Sequence, residues 1–392
     1  MSARRATSLA VALFVFGFGE ELWFRYLPEY LRTLGASVFV VGLFGTVKDL
    51  LDAASAYPGG WASDRLGTRR ALLLFGGVTV AGYAVLWAWH SVAGVFAGIV
   101  LVMAWASLGL PATFALIAEE LDERRRIGGF TVQAILKRLP IVVAPPLGGL
   151  LLTRLGTGPG IRLGLLASIL LSLAMLVGLS LALRSAESPS TTALRDLVKP
   201  PKLPPALRRL LEADCLIRLC EGLPDIFLVL WAIEIVGITP AQFGILVSVR
   251  TVTSIVSYAP AAALAGKTEK KPFVLLTYAF FTAYPLFVLF ARSFGGLLAA
   301  WVVGGLSEIG EPARKALIVD LADPAARGRT VGVYYSLRGF AVAGAAAIGG
   351  ALWTIRPALT FETAAALGVV GTLWAARFLP AREKQAAAGG RV

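Results

Sequence analysis

The chain has 392 residues, of which 57% are hydrophobic and 16% charged, against roughly 25% charged in an average soluble domain. A membrane-spanning helix takes about 20 mainly apolar residues, so this composition suits a dozen helices joined by short connectors and excludes a sizeable extramembrane catalytic domain. The formal net charge of +13 would suggest nucleic acid in a soluble protein. Here the basic residues cluster in connectors, where they set topology, and no nucleic-acid partner is expected.

Apolar runs separated by polar, Gly or Pro breaks predict helices near 7–31, 38–62, 70–90, 93–118, 127–152 and 161–184. The stretch 185–208 is rich in Pro, Ser and charge, the composition of a linker. Further runs follow near 209–236, 240–265, 271–291, 295–320, 328–354 and 357–380. The expectation is an all-α membrane protein of twelve transmembrane helices, with one bundle at 1–184, a linker at 185–208 and a second bundle at 209–392. The first run holds Glu20, Glu21 and Arg25 and shows no small-residue cleavage site, so it reads as a span and not as a cleaved leader. Most Lys and Arg lie at the termini and in the even-numbered loops, among them Arg69, Arg70, Arg124 to Arg126, Lys270 and Lys271. The positive-inside rule then places both termini in the cytoplasm of a cell (inner) membrane protein. Cys215 and Cys220 form neither a CxxC pair nor a metal framework, and His90 is the single histidine. No metal or cofactor is expected.

The halves match at an offset of about 201 residues. Pro111-Ala-Thr-Phe-Ala-Leu-Ile-Ala-Glu119 answers Pro312-Ala-Arg-Lys-Ala-Leu-Ile-Val-Asp320, and Gly148-Gly149 answers Gly349-Gly350. Lys137 answers Arg338, Glu20 answers Glu221, Tyr57 answers Tyr258, and Lys48 answers Arg250 after a one-residue shift. Six spans followed by a copy in the same orientation is the parallel repeat of a transporter, with substrate bound where the halves meet.

Between spans 2 and 3 the chain reads Gly60-Trp-Ala-Ser-Asp64-Arg65-Leu-Gly67-Thr-Arg69-Arg70. This resembles the signature loop of the major facilitator superfamily, Gly-x-x-x-Asp-Arg-x-Gly-x-Arg/Lys-Arg/Lys, and the likeness covers essentially the whole chain. The resemblance implies two pseudo-symmetric six-helix bundles, with Gly60, Asp64, Arg65, Gly67, Arg69 and Arg70 as a gating motif that locks the cytoplasmic side. The second copy, Ala261 to Lys271, lacks the Asp and Gly at the matching places, so the gate is asymmetric. Ala144-Pro145-Pro146-Leu147-Gly148-Gly149 in span 5 is similar to the Gly-Pro-x-x-Gly-Gly motif of proton-coupled drug antiporters, with Ala in the first place. The charge that class often carries in span 4 is missing from Val102 to Pro111.

Ionisable residues inside a membrane are costly and turn toward a cavity or a partner. The central parts of spans 3, 6, 9 and 12 carry none, while spans 1, 2, 5, 7, 8, 10 and 11 carry them all. In the superfamily that this chain resembles, the third helix of each triplet is peripheral, which agrees. Helical spacing pairs Glu21 with Arg25, Lys48 with Asp52, Arg218 with Glu221 and Glu311 with Lys315. Glu20, Asp49, Asp225 and Glu308 remain, against Lys137, Arg138, Arg250, Arg314 and Arg338.

Glu20 has no basic residue three or four positions away and, at 100° per residue, shares a face with Phe16, Trp23, Phe24 and Leu27. A buried carboxylate of that kind suits proton exchange. Candidate proton-coupling or substrate residues are therefore Glu20, Asp49, Glu221, Asp225 and Glu308. Lys48, Lys137, Arg250 and Arg338 form a candidate cationic cavity that could hold an anion or neutralise the acids. Phe16, Trp23, Phe24, Phe227 and Trp231 are candidate cavity aromatics, and Trp105, Tyr334 and Tyr335 could join them.

The reading is a secondary transporter working by alternating access, with proton-coupled export of a small amphiphilic compound and the Asp64 loop stabilising the cytoplasm-closed state. A single chain holds the whole pathway and is expected to act as a monomer. The alternative is an organic-anion symporter or facilitator with a cationic clamp. Neither HExxH, GxSxG nor a His-rich cluster is present, so no enzyme is expected.

Overall fold

Proline and glycine set where the helical rods begin, break and end. The computed structural model describes residues 11, 14–66, 68–103, 123–182, 203–265, 270–322 and 327–379, with the backbone alone over such segments as 55–69, 123–137 and 258–265. Span 1 comprises α1 (14–21), a 3-10 turn at Phe24–Tyr26 and α2 (Leu27–Thr33). Pro28 lies in the first turn of α2, where a missing N–H is no loss but where a continuous helix arriving from α1 would lose a hydrogen bond. Spans 2 and 3 are α3 (Val38–Leu66) and α4 (Thr68–Ala88), and the described part of span 4 is α5 (Val92–Met103). Spans 5 and 6 are α6 (Glu123–Leu155) and α7 (Thr157–Ala182).

Span 7 is broken at a place equivalent to the break in span 1. Its first piece, α8 (Pro205–Asp225), holds Pro224 in its last turn; a short α9 (Leu228–Leu230) and a π-helical turn at Trp231–Ile235 follow. Spans 8 and 9 are α10 (Pro240–Ala265) and α11 (Lys270–Phe290). Span 10 splits into α12 (Phe294–Leu306) and α13 (Glu311–Leu321), and span 11 into α14 (Arg327–Val342) and α15 (Ala345–Ile355); α16 (Pro357–Phe378) is span 12. Spans 1 and 7 both end in glycines with left-handed backbone, Gly35 (φ 86°) and Gly237 (φ 81°). There the amide of Ala36 turns back to the carbonyl of Leu31 and that of Gly35 to Arg32, closing the helix end.

Among the described residues, each of the twelve predicted runs is answered by helix. By length and composition, five helices of the described residues are each able to cross a membrane unaided: Arg138–Leu155, Thr157–Leu181, Lys271–Phe290, Thr330–Ile355 and Pro357–Phe378. Two boundaries shift. The second bundle starts at Pro205, ahead of 209, and Gly60 to Leu66, expected as loop, continue α3 as helix. The linker residues 183–202 lie outside the described residues, as do Gly67 and the side chains of Asp64, Arg65 and Arg69; Arg70 is exposed.

The halves meet along two seams, α3 against α15 and α6 against α10. Under the repeat, span 2 maps onto span 8 and span 5 onto span 11, so the two seams exchange. Small residues let the backbones touch. A Cβ on Gly42 would stand 2.6 Å from the carbonyl oxygen of Ala346, and one on Gly244 would stand 2.4 Å from that of Pro145. Pro146 lacks an N–H, so the carbonyl of Val142 has no helical donor; Ser248 of α10 donates to it from the other half at 2.6 Å. Tyr26 donates to the carbonyls of Pro145 (2.7 Å) and Pro240 (3.1 Å), and the Ala241 amide donates to Thr153 Oγ1 at 3.1 Å. All these contacts lie toward the odd-loop end of the bundle. The antiporter-like segment Ala144 to Gly149 is thus a packing element of this seal.

Candidate functional site

Two cavities lie between the halves on the even-loop side of the seal, of about 380 Å³ and 690 Å³, and Lys48, Glu221, Asp225 and Ile226 line both. They form one crevice divided by α8. The smaller cavity is walled by Phe24, Phe44, Phe243 and Trp301, with the charges Arg25, Lys48, Arg138, Glu221, Asp225, Arg250 and Glu308. Asp49, Asp52, Arg218 and Arg338 join the shared charges around the larger one.

Most of these charges stand in pairs. Arg25 contacts Glu21 at 2.8 Å, Arg218 contacts Glu221 at 2.5 Å, and Lys315 approaches Glu311 at 3.7 Å, as helical spacing predicts. Lys48 departs from that spacing and reaches its chain neighbour Asp49 at 3.3 Å, not Asp52. Arg138 crosses from α6 to Glu308 at 3.5 Å, tying the halves, and donates to Ser254 at 2.5 Å. Arg250 lies 3.5 Å from Glu221 and 4.0 Å from Asp225, over the ring of Tyr284 at 5.1 Å. Asp225 is open, with 43% of its side chain exposed.

Of the sequence-predicted residues, Asp49, Glu221, Asp225, Glu308, Lys48, Arg250, Arg338 and Phe24 line the crevice. Glu20 is half-buried and lines neither cavity among the described residues. The side chain of Lys137, and Trp105 altogether, lie outside the described residues. Phe16, Trp23, Phe227 and Trp231 belong to the core, not the cavity wall. Trp23 donates to Ser168 at 2.9 Å and meets Tyr83 edge-on at 5.5 Å. Phe227 stacks on Trp353 at 5.3 Å, and Trp231 donates to the Val288 carbonyl at 3.2 Å beside Phe361. Tyr335 lines the larger cavity, while Tyr334 is buried.

Sequence reasoning missed Asp214, which is 1% exposed. It accepts hydrogen bonds from Tyr278 (3.2 Å), Tyr334 (2.9 Å), Arg338 (3.3 Å) and Arg314. Arg314, equally buried, also grips Glu311 with both arms of its fork, at 2.8 and 2.6 Å. Glu311 touches Arg218 at 3.5 Å. An alternating series therefore runs Arg338, Asp214, Arg314, Glu311, Arg218, Glu221, Arg250, Asp225, neutral in sum and wholly within the second half. The available signal was an acid within span 7 with Arg218 four residues on, a spacing that reaches it on one helix face.

At the odd-loop rim Arg32 and Glu234 pair across the halves at 3.4 Å, each about one-third exposed. Exposed pairs contribute little to stability. Arg32→Ala should therefore lower stability by less than about 1 kcal/mol, while loosening the seal. The check is a thermal unfolding scan beside maleimide labelling of a cysteine placed at the exposed Thr239 of the same rim, which leaves Glu234 in place; an unfolding shift larger than this would mean that the pair holds the fold itself.

A family model described as Major Facilitator Superfamily matches the chain twice, over residues 9–220 and 213–391, once for each half. Among solved structures, a POT peptide transporter mutant with sulfate superposes at TM-score 0.78 and 17% identity, covering 96% of this chain and 94% of that one. A POT family transporter with 5-aminolevulinic acid gives TM-score 0.76 at 16% identity over 95% of each chain. The human organic anion transporter MFSD10 (TETRAN) gives 0.64 at 17% identity, over 96% of this chain and 100% of that one. No curated protein matches the chain. These neighbours are peptide and organic-anion transporters, not the drug antiporters that the span 5 segment suggested, and at such identity they speak to fold alone.

Proposed function

The chain belongs to the Major Facilitator Superfamily and is a multi-pass membrane transporter by fold, and from that premise we propose that it moves a small amphiphilic solute by alternating access, coupled to protons. The observation that supports this most is the crevice at the seam of the repeat, where charges of both signs stand beside Phe24, Phe44, Phe243 and Trp301. The rocking halves carry the solute past the seal of α6 and α10, and the Asp64 motif closes the cytoplasmic side. The pathway lies within one chain, in the inner membrane with both termini cytoplasmic, and the protein acts as a monomer.

Among the candidate acids Glu20, Asp49, Glu221, Asp225 and Glu308, Asp225 is the best placed to exchange a proton. It faces both cavities, and its nearest ion-pair distance of 4.0 Å leaves it hydrated. Ionised, it can hold a cationic group of the solute, and protonating it releases that group, the exchange that export against inward proton flow requires. Asp225→Asn should abolish solute-driven proton movement in proteoliposomes containing a pH dye, while solute exchange at equal concentrations on both sides persists. Proton movement at the parent rate in Asp225→Asn would remove Asp225 from the coupling step. Running inside-out and right-side-out vesicles in the same assay reads the direction, for which export is the working proposal.

A second reading, an organic-anion carrier, rests on the smaller cavity, where Arg25, Lys48, Arg138 and Arg250 outnumber Glu221, Asp225 and Glu308. Under it, Arg250→Gln or Lys48→Gln abolishes anion uptake and leaves cation movement intact. Under the first reading both solute classes lose transport together.

A further inference from the structure

The larger cavity holds two arginines, Arg218 of α8 and Arg338 of α14, each about one-fifth exposed. Neither guanidinium is free to swing. Arg338 is held from behind by the buried Asp214 at 3.3 Å and lies on the ring of Tyr335 at 4.7 Å. Arg218 is held by Glu221 at 2.5 Å and Glu311 at 3.5 Å, over the ring of Phe281 at 5.2 Å. Behind both stands Arg314, which fixes Asp214 and Glu311 and is itself 1% exposed. The Nε of Arg218 is itself buried without a partner, but both residues line the cavity, and forks immobilised there by a buried second layer form a prepared anion site.

The repeat shows that the fold does not require this apparatus. At the offset of the duplication, Asp214, Arg218, Glu311 and Arg314 correspond to Leu13, Gly17, Leu110 and Thr113, and only Arg338 keeps a charged counterpart, Lys137. The first half thus builds the same six spans without the cluster. Buried ion pairs are poor stabilisers compared with apolar packing, so stability alone does not account for it. Across the same cavity, α3 presents Asp52 and Asp49, the latter already in contact with Lys48. Two arginines on one wall, with Glu221 and Asp225 beside them, thus share the cavity with the exposed Asp52 on the other.

Resting on the transporter reading above, we propose that the larger cavity is a binding subsite for a dipolar solute, whose carboxylate, phosphate or phosphonate sits on Arg218 and Arg338 while its ammonium end reaches Asp52. Asp214, Glu311 and Arg314 are positioning residues, acting through the two arginines. Such a solute bridges α8 and α14 of one half to α3 of the other, so its binding energy acts on the closure of the halves.

Three probes of equal length test this with purified protein in nanodiscs: ε-aminocaproate, caproate and hexylamine. Calorimetry should rank ε-aminocaproate tightest. Arg338→Gln and Arg218→Gln should each weaken ε-aminocaproate and caproate by about tenfold or more, the loss expected for a charged hydrogen-bond partner, and leave hexylamine unchanged. Asp52→Asn should weaken ε-aminocaproate and hexylamine but not caproate. Asp214→Asn, which touches no probe, should reproduce the Arg338→Gln pattern, and Arg338→Lys should recover part of the affinity and serve as a control for folding. Equal affinity for the three probes, no binding of any, or unchanged caproate affinity in both arginine variants would overturn the subsite. Parallel flux assays separate the two readings. A carrier without this subsite still moves caproate at the parent KM in Arg338→Gln, whereas a protein that is no transporter moves neither probe nor proton even as the parent.

Discussion

Asp214→Leu alone should destabilise the protein by about 3–5 kcal/mol, the cost of leaving a buried cation without its partner. Arg314 then keeps only Glu311 in a pocket from which water is excluded, and Tyr278 and Tyr334 lose the carboxylate to which they donate. A combined variant, Asp214→Leu, Glu311→Leu and Arg314→Thr with Tyr278→Phe and Tyr334→Phe, should behave differently. The first three changes install the residues that stand at Leu13, Leu110 and Thr113 in the other half, and the last two remove the stranded hydroxyls. Replacing a buried ionic group as a whole by apolar side chains is often neutral or stabilising by about 1–4 kcal/mol. The combined variant should therefore recover most of the lost stability, yet transport at least tenfold more slowly, because Arg218 and Arg338 lose their backing. Thermal unfolding in nanodiscs and flux in proteoliposomes give the two readouts. A combined variant no more stable than Asp214→Leu would show that the cluster holds the fold together.

Gly244→Val should open the seal. A Cβ there would stand 2.4 Å from the Pro145 carbonyl oxygen and 2.7 Å from the Cα of Pro146. Both obstacles are backbone of a proline pair, so neither yields by a side-chain rotation. Gly149 offers the mirror position, with a Cβ at 2.3 Å from the Pro240 carbonyl. Overpacking costs about 1–3 kcal/mol. Because it falls only on the state in which α6 and α10 are in contact, the balance between states moves by roughly 5- to 150-fold. Transport should fall at least about fivefold. A cysteine placed at Thr251, on the crevice wall, should react with a membrane-impermeant maleimide from the odd-loop side correspondingly faster. The native Cys215 and Cys220 are free thiols and have to be replaced first. Parent-like labelling with lost transport would mean that the wedge damages the bundle without shifting its states.

The hydrogen bonds across this seam suit a contact that breaks repeatedly. The carbonyl left by Pro146 takes Ser248 when the halves touch and can take water when they part, so separation leaves no orphaned group. Apolar packing alone would not offer that exchange.

Part of the candidate site was legible because membrane burial makes every in-span charge conspicuous. Glu221, Asp225, Glu308, Lys48, Arg250 and Arg338 reach the crevice from spans that the charge map singled out. The aromatic wall around Glu20 was misread for a geometric reason. The face was drawn at 100° per residue through an unbroken helix, but a turn at residues 22–23 and 3-10 geometry at Phe24–Tyr26 interrupt span 1. A tighter helix advances about 120° per residue, so Trp23 swings into the bundle against Tyr83 while Phe24 meets the cavity. Lys48 was matched to Asp52 on spacing alone, although both Asp49 and Asp52 were within its reach.

Composition, period and the duplicated spacing of Pro, Gly and charge pointed to twelve helices in two like halves, because lipid forces each span to satisfy its backbone within itself, and the Gly60 to Arg70 motif carried the likeness to the superfamily. That information is local to each helix. Which charges neutralise one another was decided only by tertiary packing: Asp214 meets Arg314 from 100 residues away and Arg138 meets Glu308 from the other half. No periodicity within a helix encodes a partner on another, since the pairing depends on the rotation and depth at which broken rods come to rest.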